Sequence, residues 1–122
     1  MSITHTPAFK VLKFYFLFFA LLFLINACSK KPEFTADCSG PAKSFVTDVS
    51  PVFQTSCTIN SGCHGTGSGN GPGLLLNYSQ IFNARADIRS AVASGHMPLN
   101  STLTATQKNA ILCWIDSGAP NN

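Results

Sequence analysis

Cys57-Thr58-Ile59-Asn60-Ser61-Gly62-Cys63-His64 is the stretch from which the rest of this chain is read. Two thiols are separated by five residues, and an imidazole follows the second directly. Two chemistries fit those eight residues. One is a Cys57–Cys63 disulfide beside an incidental histidine. The other is a pair of thiols that fixes a prosthetic group whose metal His64 ligates. In the second case both sulfurs must reach one group, so the spacer has to bulge out as a loop. Asn60, Ser61 and Gly62 are suited to a turn, and closure entropy grows only ~0.6 kcal/mol per doubling of loop length.

Paired thiols followed by histidine are the attachment chemistry of haem c. There the thiols form thioethers with two vinyl groups and the histidine binds iron, usually as C-x-x-C-H. Here the spacer is three residues longer, and Asn60 stands where the usual first cysteine would be. A second axial ligand is also available. Behind the leader discussed below, the only methionine is Met97, in Gly95-His96-Met97-Pro98, 33 residues after His64. A thioether is a common sixth ligand of electron-transfer haems and raises their potential. The alternatives at this position are Met97 as a core gap-filler and His96 as the ligand.

The amino-terminal part reads as targeting rather than fold. Lys10 and Lys13 flank an apolar run, Phe14 to Ile25, of 12 residues. Crossing a bilayer takes ~20, so the run fits the core of a signal peptide; a buried or interfacial helix is the alternative. Its end, Leu24-Ile25-Asn26-Ala27-Cys28, resembles a bacterial lipobox. The resemblance implies cleavage before Cys28, lipid on that cysteine, and attachment to a membrane of the cell envelope. An ordinary signal with Cys28 in a disulfide is the other reading. The mature chain carries six basic side chains (Lys30, Lys31, Lys43, Arg85, Arg89, Lys108) against five acidic ones (Glu33, Asp37, Asp48, Asp87, Asp116), a net +1. The precursor's +3 charge is therefore no sign of nucleic-acid binding.

Residues 28–43 read as a lipidated tether, rich in Lys, Pro, Ser and Gly, and a domain spans 44–122. Phe45, Val49, Val52 and Phe53 share one helical face, with Pro51 best accepted in a first turn. Gly65 to Gly73 has five glycines in nine residues and is loop. Asn77 caps a short turn holding Tyr78, Ile81 and Phe82. Ile88, Ala91 and Val92 mark another helix, ended by Gly95. Thr104 and Gln107 form a capping box for a last helix with Ile111, Trp114 and Ile115 inward, stopped by Gly118 and Pro120. No segment of useful length has strand period. The fold class is all-α, with three or four short helices and long loops.

From about Ser44 to Asn122 the chain resembles the small class I cytochrome c domains of bacterial envelope lipoproteins. The resemblance rests on Cys63-His64-Gly65, Gly95-His96-Met97-Pro98, and the last helix with Trp114-Ile115 and Gly118-Ala119-Pro120. It implies one covalent haem c, with Cys57 and Cys63 as thioethers and His64 and Met97 as axial ligands. The Cys57-to-Cys63 spacing departs from the family pattern. It also implies a redox protein as partner and a membrane reached through the lipid anchor. Its crossing first and last helices would bring Cys38 and Cys113 together as a disulfide; two free thiols are the other possibility. Leu74, Leu76, Ile111 and Trp114 are candidates to line the haem, and Arg85 or Arg89 to meet a propionate. With both axial sites filled and no acid–base pair or nucleophile–base arrangement in the sequence, the expectation is an electron carrier and no enzyme. A haem-free, disulfide-stabilised binding or structural lipoprotein is the alternative.

Overall fold

Thr104 starts the longest helix in the way its sequence predicts. Its hydroxyl accepts from the Gln107 amide at 3.2 Å, and Gln107 Oε1 accepts from the Thr104 amide at 2.9 Å, so two otherwise orphaned donors are satisfied reciprocally. The computed structural model describes residues 32–122 and, ahead of them, Tyr15. The leader over 1–27 (Tyr15 apart) and the lipidation at Cys28 lie outside the described residues. The elements are a π-helical turn, Phe45–Val49, that runs into α1 (Ser50–Ser56), then α2 (Tyr78–Asn83), α3 (Arg85–Ala93) and α4 (Ala105–Asp116). Among the described residues there is no strand, so the all-α class holds. No described helix is long and apolar enough to cross a membrane.

The first helical segment starts earlier, and in a wider register, than its proline suggests. Ser44 caps it: its hydroxyl accepts from the Thr47 amide at 3.4 Å, and Asp48 accepts from the Ser44 amide at 2.8 Å. Val49 N–H then bonds to Ser44 C=O, five residues back, and Ser50 N–H to Phe45 C=O. Pro51 offers no N–H and its ring collides with a carbonyl four residues behind it in regular helix. The wide turn ahead of it accommodates that demand.

Helix α4 is the centre of the unit. Ala110, Ile111, Leu112, Cys113 and Trp114 are all buried, with Ile115 packed at the margin. Phe45 stacks on Trp114 at 5.5 Å and meets Tyr78 edge-on at 5.1 Å. After Gly118 (φ 98°) turns the chain back, the last residues fasten the other elements to α4. Trp114 Nε1 donates to Pro120 C=O at 2.8 Å, and the Tyr78 hydroxyl to Ala119 C=O at 2.9 Å. Asn122 accepts from the Val46 amide (2.9 Å), the Phe45 amide (2.9 Å) and the Ser44 hydroxyl (2.7 Å). The two amides are donors that a helix start leaves without partners.

Cys38 is disulfide-bonded to Cys113. The segment around it, read from the sequence as tether, is docked in part. Phe34 N–H donates to Ala93 C=O at 2.7 Å, Asp37 N–H to Asn109 Oδ1 at 3.1 Å, and Phe34 and Ala36 pack on the core. Lys108 sits over the Phe34 ring at 4.9 Å. The folded unit thus begins at Pro32, because two apolar side chains and a covalent bond hold a stretch that lacks periodicity.

The disulfide closes a separation of 75 residues, which the chain-entropy relation values at ~4 kcal/mol. Replacing both cysteines by serine is expected to lower the urea midpoint by a corresponding amount and to leave far-UV helix content unchanged below it. Equal midpoints for the two proteins would show that the bridge contributes nothing.

Candidate cofactor site

The long spacer folds onto itself. Cys57 and Thr58 amides both donate to Phe53 C=O, which ends α1, and His64 N–H then donates back to Cys57 C=O at 2.9 Å. That single bond ties the two ends of the bulge together. Inside it, Asn60 C=O accepts from Cys63 and Gly65 amides, both at 3.1 Å, and its side chain accepts from Gly62 N–H at 2.9 Å. Asn60, Ser61 and Gly62 project into solvent. Gly65 is buried against this turn. A Cβ there would lie 2.7 Å from Thr58 C=O and 2.8 Å from Asn60 C=O, so the position admits only glycine without a backbone shift. The Ser68 hydroxyl and the Asn70 amide clamp the far side through the carbonyls of Cys63 and Gly62.

His64 is buried, 8 % exposed. Its Nδ1 lies 3.0 Å from Gly73 C=O. A carbonyl only accepts, so Nδ1 carries a proton, and in the neutral ring the lone pair is on Nε2. The backbone fixes the ring further: Leu75 N–H donates to His64 C=O at 3.1 Å. Nε2 makes no hydrogen bond among the described residues, and no fully buried polar side-chain atom there is unpartnered, so Nε2 is not sealed in the core.

Two adjoining cavities meet at this imidazole. The inner one, about 280 Å³, is walled by Phe53, Leu75, Ile88, Ala91 and Val92, with Cys57, His64, His96 and Met97 on its lining. The outer one, about 450 Å³, shares Cys57, His64 and Met97 and adds Cys63. Four residues singled out in the sequence therefore converge: Cys57, Cys63, His64 and Met97. Met97 is half-buried and held by its own amide, which donates to Ala91 C=O at 3.1 Å. His96 reaches the inner lining but is solvent-exposed.

Other expectations need correction. Of the leucine triplet, Leu75 is buried and lines the inner cavity, whereas Leu76 is 48 % exposed and Leu74 lines a neighbouring groove. Ile111 and Trp114 belong to the core around α4 and line neither cavity. Arg85 donates to Phe82 C=O at 2.8 Å and lies over its ring at 4.1 Å. Arg89 forms a two-pronged ion pair with Asp116, at 2.7 and 3.1 Å. Neither guanidinium is on a cavity lining; both have partners in the protein. Gly73, which orients His64, escaped the sequence reading because its contribution is a backbone carbonyl.

Cys57 and Cys63 are free thiols. Burial, helped by the neighbouring Cys63 sulfur, pushes the Cys57 thiol up to about 11, so it stays protonated at neutral pH and is a poor thiolate nucleophile. Among the described residues no three His, Cys, Asp or Glu side chains converge to cage a bare metal ion. Comparison with protein-family models, characterised proteins and solved structures finds no match to this chain.

The raised Cys57 thiol has a pH consequence with a definite sign. In the haem-free protein the unfolded chain loses this proton near pH 9 and the folded chain only near pH 11. Across that window the folded state holds more protons, so stability falls as pH rises, by on the order of 2 kcal/mol in all. Urea titrations at pH 8.5 and pH 11 are expected to show this excess loss in wild type relative to Cys57→Ala. An identical pH dependence in the two proteins would mean that the thiol is not held in its neutral form.

Proposed function

We propose that this protein is an exported, lipid-anchored electron carrier of a bacterial cell envelope, holding one covalent haem c. The observation that carries the proposal is the oriented imidazole. His64 Nδ1 is bonded to Gly73 C=O, which in the neutral ring leaves the lone pair on Nε2, and His64 lines an apolar cavity together with Met97 and Cys57. Hydrogen bonding of the second ring nitrogen to a carbonyl is the usual way a ligating histidine is fixed. The donor set fits the group: an imidazole, a thioether and two thiols beside apolar walls, with the two cavities together inside the roughly 300–1,000 Å³ of cofactor sites.

A haem bound there supplies exchange of one electron between ferrous and ferric iron. The protein's own parts then have separate tasks. His64 and Met97 would both bind the iron and leave it no open position for a substrate. Cys57 and Cys63 would hold the macrocycle through thioether bonds, the S–H of each thiol adding across one vinyl group. Phe53, Leu75, Ile88 and Val92, which line the cavity, would keep water from the iron, and a dry site with a thioether ligand favours the ferrous state. The lipobox-like Ile25-Asn26-Ala27-Cys28 supports anchoring through acyl chains, each buried CH₂ contributing ~0.8 kcal/mol.

Ligation is tested by spectroscopy of the mature protein. A pyridine haemochrome of the two-thioether type is expected in wild type, shifting to the longer-wavelength one-thioether type in Cys57→Ala. The oxidised protein should show the weak near-infrared band of sulfur-to-iron ligation, and Met97→Ala should abolish the band and lower the potential while the fold survives. A colourless protein would leave the haem-free binding or structural lipoprotein. A band that persists in Met97→Ala would move the distal role to His96.

Anchoring is tested separately. Cys28→Ser is expected to move the protein from the membrane fraction to the soluble fraction. A variant that still pellets completely with membranes is not held by lipid on Cys28.

A further inference from the structure

The segment ahead of the helices is fastened to the fold at three places. Phe34 N–H donates to Ala93 C=O at the carboxyl end of α3, Asp37 N–H donates to Asn109 Oδ1 on α4, and Cys38 is bonded to Cys113 on α4. Phe34 and Ala36 pack on the core, and Lys108 lies over the Phe34 ring. A tether free from Cys28 to Ser44 would reach about 55 Å. Fastened at Phe34, the chain has six residues of advance left from Cys28, and their contour is at most about 22 Å whatever path they take. The methionine of the cofactor site is held to the same helix end. Met97 N–H donates to Ala91 C=O at 3.1 Å, and Phe34 N–H to Ala93 C=O at 2.7 Å. Carbonyls two residues apart in a helix are about 5 Å from each other. The Met97 amide therefore stands within about 11 Å of the Phe34 amide, and at most about 35 Å from Cys28.

Resting on the lipid-anchor reading, we propose that the segment Pro32–Cys38 is a strap that holds the folded unit on the membrane surface, with the edge formed by Phe34, Lys108 and the carboxyl end of α3 against the lipid headgroups. The occupant of that edge follows from the leash. Acyl chains on Cys28 fix one end of it in the bilayer, and Phe34 is where the other end joins the fold, so the joined edge is the one kept at the lipid. Charge does not hold it there. Glu33, Asp37 and Asp116 stand at this edge against Arg89 and Lys108, and Arg89 is already paired with Asp116 and Glu33. Counting Lys30 and Lys31 of the leash, four cations meet three carboxylates, a net charge of one, whereas an electrostatic lipid anchor takes a cluster of about four to eight basic residues. Phe34 is half-buried and has little apolar surface to insert. Without the acyl chains the edge has no affinity for lipid, and the short leash alone sets its height. A cofactor site held in this way exchanges electrons close to the membrane and does not reach across the compartment around it.

The test uses the lipidated mature protein in vesicles of phosphatidylcholine and phosphatidylethanolamine. A short amine-to-amine cross-linker joins Lys108 to a headgroup amine within its span, and mass spectrometry counts the Lys108 peptide that carries a lipid. A variant with about twenty Gly and Ser residues inserted between Lys31 and Pro32 lengthens the leash outside the folded unit, so its urea midpoint should equal that of wild type. The adduct is expected in wild type and is expected to fall at least about fivefold in the insertion variant, because effective concentration at the surface drops as a flexible linker grows. Neutron reflectometry on a supported bilayer of the same lipids reads the height independently. Protein density is expected to begin within about 22 Å of the headgroups in wild type and to move outward in the variant. No Lys108 adduct in membrane-bound wild type, or equal yields and heights in the two proteins, would overturn the proposal. So would a Cys28→Ser protein that binds these vesicles and gives the adduct, since the edge would then hold lipid without a leash. A wild type that is not attached through Cys28 fails the anchoring reading and this inference with it; a protein attached through Cys28 whose height ignores the length of the leash fails the inference alone.

Discussion

Five consecutive buried residues, Ala110 to Trp114, leave the middle of α4 with no solvent face. A helix in that condition is stable only when it is surrounded, and in a chain this small every other element has to contribute to surrounding it. The π-helical turn brings Phe45 and Val49, α2 brings Ile81, and α3 brings Ile88 and Val92. Two fastenings keep the wrapping closed. One is covalent, at Cys113 on α4 itself. The other is Asn122, whose two oxygens take up the first donors of the helix that covers Trp114. Both join residues more than 70 apart in sequence, so the ends of the folded unit are held together before any cofactor is considered.

This arrangement separates the stability of the frame from the cavities. Trp114 and Ile111 hold the frame, while the cavity walls come from α1, α3 and the two long loops, with α4 taking no part. Elements that line a cavity on one side have fewer partners than elements packed on all sides, so they need local constraints of their own. Those constraints are backbone hydrogen bonds: Cys57 to His64 across the bulge, His64 to Leu75 along the glycine-rich loop, and Ala91 to Met97 after α3. The proposed ligands are thus positioned mainly by main-chain geometry, which survives side-chain changes in the wall better than packing would.

The same division explains what was legible in the sequence. Helix starts announce themselves because a capping side chain must be a particular residue, and Thr104 with Gln107, and Asn77, did so. The convergence of Cys57, His64 and Met97 was also readable, since each is scarce and chemically distinctive. The π-helical turn was not, because the conflict between Pro51 and a helix has several solutions and the sequence does not choose among them. Leu75 could not be told from Leu74 and Leu76, since three like residues in a row carry no period. The docking of Phe34 was hidden in a stretch of turn-forming residues. Gly73 could not be found at all: any residue's carbonyl could orient His64, so nothing in the side chain records the role.

The bulge between the two cysteines shows how a long spacer can keep its two ends together. Three additional residues would separate the sulfurs if the chain stayed extended, at ~3.3 Å per residue. Instead the bond from His64 N–H to Cys57 C=O closes the loop, and Asn60 uses its carbonyl and its side chain to gather the amides of Gly62, Cys63 and Gly65. The turn becomes self-contained and projects outward, so the distance across its base no longer depends on how many residues it holds. The demand is transferred to Gly65, which must pass within 2.7 Å of Thr58 C=O at the place a Cβ would occupy. Here the turn in the long spacer is what commits the position behind the histidine to glycine.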